Sequence, residues 1–287
     1  MIFRTDIIKK NYIIAIFALC SANAFAQDTI DIDNKNSEIV TSRPSETEGC
    51  HIAPKGMLQA EIGFLNEQYK EKETGLETQK ILYPAALLEY GVSENFEVQL
   101  ISQYVNNKIK FPNTDSHKDS TIQYPGLNPV SIGFKVALHE EKGWIPEISF
   151  MSHVALPYFA AEHYKTEFVI PECRLLFSNT LNKRFTLFYN IGAEWGDKSV
   201  SVTGVYTAMI ITKLTNNLSM FAESYNYIKK HTEPDHRLGC GFMYVIKKNF
   251  QLDCSGGLGL DNKSSDYFIS AGFSFRVNTI KPHRNLL

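Results

Sequence analysis

Apolar residues fall on every second position through most of this chain. At its end, Phe250, Leu252, Cys254, Leu258 and Leu260 alternate with Gln251, Asp253, Ser255, Gly257 and Gly259. After the polar run 261–266 the pattern resumes, with Tyr267, Ile269, Ala271, Phe273 and Phe275 set against Phe268, Ser270, Gly272, Ser274 and Arg276. A period of two marks strands with two unlike faces. The same alternation predicts strands at about 56–69, 78–90, 96–104, 128–139, 145–156, 168–179, 185–195, 200–211, 218–227 and 236–246. With the terminal hairpin that makes about twelve. Both faces of the 200–211 segment are apolar, so its orientation stays open. Polar loops are expected at 106–126 and 157–167.

An unbroken apolar face suits the core of a secreted sandwich or the lipid-facing belt of a membrane barrel. Two regularities favour the barrel. Connections alternate between short turns and longer polar loops, with 196–199 as an exception. Outward aromatics gather at strand ends: Tyr90, Phe96, Phe185, Tyr244, Phe250 and Phe275 at one end, and Tyr104, Trp195 and Tyr267 at the other. Short periplasmic turns and two aromatic girdles are habits of outer-membrane barrels. The expected fold is all-β, a transmembrane up-and-down antiparallel barrel, with outer-membrane lipid as its surroundings.

The opposite parity then faces the lumen. It carries Glu61, Glu89, Glu97, Glu147, Glu172, Glu194, Glu223 and Asp253, with Lys135, Arg174, Arg237, Arg276, His139 and His153. Charges are tolerable in a wet lumen and costly against lipid. They would either line a pore for a small solute or form a ladder of ion pairs that fills the barrel.

The N-terminus reads as an export leader. Arg4, Lys9 and Lys10 precede the apolar run 12–19, and Ala24-Phe25-Ala26 fits a cleavage site. Residues 1–26 are therefore expected to be removed, and 27–54 to form a flexible periplasmic segment, polar and aperiodic. The barrel is expected over 55–277, followed by a tail, 278–287. No later run is long and apolar enough for a membrane helix.

Cys50, Cys173, Cys240 and Cys254 are too few for a disulfide framework. Cys240 and Cys254 flank one tight turn, where a cross-strand bond or two free outward thiols are both open. A net charge of -2 gives no basic excess for a nucleic-acid partner. There is no Gly-x-Ser-x-Gly, and His231, His236, Glu233 and Asp235 lack zinc-site spacing. No catalytic residue, metal or cofactor is assigned, and the chain is not read as an enzyme.

Ser270-x-Gly272-x-x-Phe275-x-Val277 resembles the terminal signal read by the barrel assembly machinery, although ten further residues follow it. The segments 41–48 and 54–63 resemble the opening of the outer-membrane transporter family named for the MetA pathway of phenol degradation. LEYGVSENFEVQL (88–100), GLNPVSIGFKVAL (126–138) and the 146–157 run are similar too. The resemblance implies an outer-membrane barrel with a transport role, and the phenol in the family's name is not carried over as a substrate. The expected function is passage of a small solute, hydrophobic or aromatic solutes included. The alternative is a plugged structural or surface-binding barrel.

Overall fold

The computed structural model describes residues 38–72, 74–112, 120–196, 202–230, 232–261 and 264–279. Among these residues, thirteen strands form one antiparallel sheet that closes on itself. They are β1 (Met57–Lys70), β2 (Glu77–Ser93), β3 (Phe96–Phe111), β4 (Ser120–Leu127), β5 (Val130–His139), β6 (Glu147–Leu156) and β7 (Ile170–Thr180). Then come β8 (Phe185–Trp195), β9 (Val202–Lys213), β10 (Leu218–Lys229), β11 (Asp235–Lys247), β12 (Phe250–Gly259) and β13 (Tyr267–Asn278). Consecutive strands are neighbours except β4 and β5, which both pair with β3, and β1 closes the ring on β13 over Met57–Gln68.

Thirteen strands make a twelve-stave barrel because β4 and β5 share one stave. β4 pairs with the outer part of β3, from Tyr104 to Phe111, and β5 with its inner part, from Phe96 to Ile101. The stave breaks at Asn128-Pro129. Pro129 has no N–H to continue a ladder. Asn128 bridges the break, donating its backbone N–H to Gln103 O at 2.8 Å and its side-chain amide to Gln103 Oε1 at 3.1 Å. The polar loop expected at 106–126 is therefore largely a hairpin, and its polarity reflects height rather than disorder. A spanning strand needs about 9–11 residues, whereas β1, β2 and β3 have 14, 17 and 16. The surplus, with β4, stands above the membrane.

Outward positions form the lipid belt. Ile132, Ile191 and Ile269 are 49%, 59% and 57% exposed on the isolated barrel. The open orientation of the 200–211 segment is resolved in β9: Val202, Tyr206 and Ile210 face out, and Val205, Thr207 and Met209 are buried inside. In β2 the expected parity fails. The register with both neighbours shifts between Leu82 and Ala85, around Tyr83-Pro84. A bulge of this kind reverses every side chain beyond it. Leu82, expected to face lipid, is buried in the lumen, and Lys80 turns inward with it.

The segment preceding β1 also departs from expectation. Residues 38–54 are not a flexible periplasmic lead-in but an arch held inside the barrel. Ile39 N–H meets Lys248 O at 2.7 Å in the β11–β12 turn, and Gly56 N–H meets Gly91 O at 2.7 Å near the end of β2. Both legs therefore sit at the rim of short turns. The leader, residues 27–37 and the end of the tail lie outside the described residues.

Candidate functional site

The arch crosses the inner half of the lumen and is gripped largely by the charges that sequence parity places inside. Glu61 accepts the backbone N–H groups of Ser42 at 3.1 Å and Arg43 at 2.8 Å. Arg43 sends Nη2 to Asp253 Oδ1 at 2.9 Å and to Ser270 Oγ at 3.0 Å. Its guanidinium lies where a Cβ on Gly63 or Gly272 would overlap it, so two glycines make its groove. At the crown, Glu223 Oε2 accepts Glu46 N–H, Thr47 N–H and Thr47 Oγ1, each at 3.0 Å. Arg174 and Tyr227 both hold the Glu46 carboxylate, at 3.1 Å and 2.7 Å.

The descending leg is held in the same manner. Asn190 accepts Glu48 N–H at 2.8 Å and donates to Glu48 O at 2.9 Å. Ser149 Oγ donates to Cys50 O at 2.8 Å, and Glu97 Oε2 accepts Ala53 N–H at 2.5 Å. Lys135, fully buried, stands among Glu48 at 3.6 Å, Glu97 at 3.6 Å and Glu89 at 4.0 Å. Gln59 donates to Glu61 and Glu89, and Gln99 to Glu89 and Glu97, linking the carboxylates around it. Cys50 packs with Met151 and Leu176 in a small apolar cluster. Burial pushes the Cys50 thiol up to about 12. Hydrogen bonds to an ionised group each contribute about 1.5–3 kcal/mol, so the arch is well seated while its interface remains mostly polar.

Above the arch the lumen is open space. A cavity of about 590 Å³ has Arg43, Pro44, Ser45 and Glu46 as its floor. A second, of about 480 Å³, lies in the projecting part of the barrel under the β6–β7 connection. That connection is pinned to β4: Ala161 N–H reaches Leu127 O at 2.9 Å, and Tyr164 OH donates to Tyr124 O. Burial raises the Tyr164 phenol above its usual range, which keeps it a donor.

The family described as "Putative MetA-pathway of phenol degradation" matches residues 41–277. The chain belongs to this family. Its fold is similar to an outer membrane channel from Pseudomonas putida F1, with a TM-score of 0.59 at 9% identity, covering 83% of this chain and 100% of that one. It is also similar to the transport unit of the autotransporter AIDA-I from Escherichia coli, with a TM-score of 0.50 at 8% identity, covering 86% and 96%. No curated protein matches the chain in sequence. The family and the closed barrel make this an outer-membrane protein.

Most of the expected lumen residues do face inward, but they do not line an open pore. Glu61, Glu89, Glu97, Lys135, Arg174, Glu223 and Asp253 form the clasp around the arch. His153 supports it through Gln99, at 2.6 Å. Glu172 pairs with Arg174 at 2.6 Å, and Arg276 is buried near the inner rim. Glu147 is half-buried at the start of β6, where its carbonyl faces Cys50 Sγ at 3.5 Å. Only Glu194 and Arg237 stand beside the open cavities with Glu223. His139 is a correction. The register shifts between Ala137 and His139, aligning His139 with Ile148, and it ends exposed at the inner rim.

Cys240 and Cys254 are free and outward-facing, and they are not cross-strand partners: Cys240 pairs with Gly256 and Cys254 with Phe242. His236 bonds Asp261 at 2.5 Å, while His231 lies outside the described residues. No cluster able to hold a metal occurs among the described residues.

Proposed function

We propose that this barrel admits small solutes from the outer face and that the N-terminal arch is the gate they must pass. The observation that carries the reading is the contrast between the two halves of the lumen. The outer half holds cavities of about 480 and 590 Å³, whereas the inner half is filled by a segment belonging to no strand. A barrel stiffened for structure alone would be filled from its own walls, as small barrels are. Here the filling is a separate stretch of chain, bound largely through carboxylates, amides and three ion pairs, Arg43–Asp253, Glu46–Arg174 and Glu48–Lys135. Water can replace such partners as the segment withdraws, and mostly polar contacts within a chain accompany relative motion. The staves pair with one another, and among the described residues no β-bridge joins residues 38–54 to them; the bridge nearest the arch is between Lys55 and Gly91.

The membership and the channel from Pseudomonas putida support a transport reading. The test is conductance in planar bilayers. The full chain should show small, infrequent openings, and a chain lacking residues 38–54 a larger and steadier conductance. A refolded, heat-modifiable barrel that stays closed without the arch would leave a structural or surface-binding protein instead.

A further inference from the structure

We infer that the outer half of the lumen is a binding site for a small aromatic anion, of the benzoate type, with Lys80 as its counter-charge. The inference rests on reading the barrel as a solute pathway and names what that pathway first captures.

The two outer cavities share three lining residues, Glu67, Lys80 and Arg237. Their volumes, about 480 and 590 Å³, lie within the roughly 300–1,000 Å³ of small-molecule sites. At this junction the charges are unequally committed. Glu67 accepts Arg237 Nη1 at 2.6 Å and also Ser265 Oγ. Asp235 accepts Arg237 Nε and Nη2, both at 2.8 Å, and Ser264 Oγ at 2.6 Å. Arg237 therefore spends all three of its nitrogens on two carboxylates. Lys80 is directly opposite Glu67 in the β1–β2 register and half-buried, yet no hydrogen bond or ion pair reaches its ammonium among the described residues. Both bonds to Glu67 end on Oε1, so Lys80 shares the field of that carboxylate, but a half-buried ammonium with no hydrogen bond of its own among the described residues keeps its donors for an incoming anion.

The walls specify the rest of the ligand. Tyr69, Tyr124 and Tyr164 line the outer cavity beside Lys80. In the inner one, Tyr225 and Phe268 meet edge to face with centroids 6.4 Å apart. Leu65 and Leu82 continue the apolar surface. Aromatic rings offer faces and edges to a further flat ring. The outer wall is built in advance, because the β6–β7 connection is fixed to β4 and His163 packs edge-on to Tyr124 at 5.1 Å. A cationic ligand has less to meet. Glu46 is held by Arg174 and Tyr227, and Glu223 by the arch amides. Glu194 lines only the inner cavity, from β8.

The test is calorimetric titration of the full-length protein in detergent with benzoate, benzyl alcohol and cyclohexanecarboxylate. Benzoate should bind saturably, and both analogues at least about tenfold more weakly. Lys80→Gln should weaken benzoate by about tenfold or more, and Lys80→Arg should restore most of the loss. Heat-modifiable migration checks that each variant is folded. Equal binding of benzoate and benzyl alcohol, no binding of benzoate, or an unchanged affinity in Lys80→Gln overturns the inference. Conductance separates it from the gating proposal. A conducting arch-less barrel whose parent ignores benzoate defeats the site alone, and benzoate binding to a barrel that never conducts defeats the channel alone.

Discussion

Arg43 Nη2 lies 2.9 Å from Asp253 Oδ1, joining residues 210 positions apart and fastening the arch to β12. The Asp253 side chain is wholly buried and that of Arg43 is 17% exposed. Removing one partner of a buried pair leaves an uncompensated charge and costs about 3–5 kcal/mol. Asp253→Asn and Arg43→Ala should each loosen the arch without unfolding the barrel, raising open probability in bilayers. Arg43→Ala with Asp253→Ala should cost less than the two single changes summed. Unchanged gating in both single variants would remove this pair from the latch.

Gly91 sits where the descending leg joins the wall. A Cβ there would overlap the carbonyl oxygens of Ala53 and Pro54, which are backbone and cannot swing aside. Gly91→Ala should unseat residues 50–56 while leaving the staves paired. Hydrogen exchange should then rise at Ala53 and Gly56 and stay slow in β6 and β7. Slow exchange throughout would show that the leg can shift to make room.

Cys50 reports directly on the arch. It is 1% exposed, and burial pushes its thiol up to about 12, so little of the reactive thiolate is present at neutral pH. In protein beginning at Gln27 with Cys173→Ser, Cys240→Ser and Cys254→Ser, a water-soluble maleimide should react with Cys50 very slowly. Adding Arg43→Ala should accelerate labelling. Rapid labelling of the parent would mean that the arch is already out.

Lipid-facing positions should refuse charge. Ile132→Lys and Ile269→Lys each place an ammonium against the membrane interior, at a cost of about 2–4 kcal/mol near the midplane. Refolding into bilayers followed by urea titration should show losses of that size. Parental stability in both would contradict the membrane-facing parity on which the barrel assignment stands.

Parity made the barrel legible because lipid and lumen impose opposite demands on adjacent residues. Ile132 and Lys135 fall on the correct faces from alternation alone. Alternation has nothing to say where neither solvent applies. The arch has no period, its composition is that of a free polar segment, and its partners, such as Asn190 and Glu223, lie 142 and 177 positions away. Proximity of that kind is invisible locally. Lys80 was hidden differently: counting by twos from Tyr90 sends it outward, and only the irregularity at Tyr83-Pro84 turns it in. Pro84 was the one available hint. The strand β4 escaped because it stands above the membrane, where both faces can be polar.

Both described legs of the arch end at one rim, beside Lys248 and Gly91. Nothing has to be threaded through the closed ring for the stopper to be inserted or withdrawn. The ring can therefore close empty and be corked afterwards, and a pull from the periplasm could uncork it again while the stopper stays tethered at Met57.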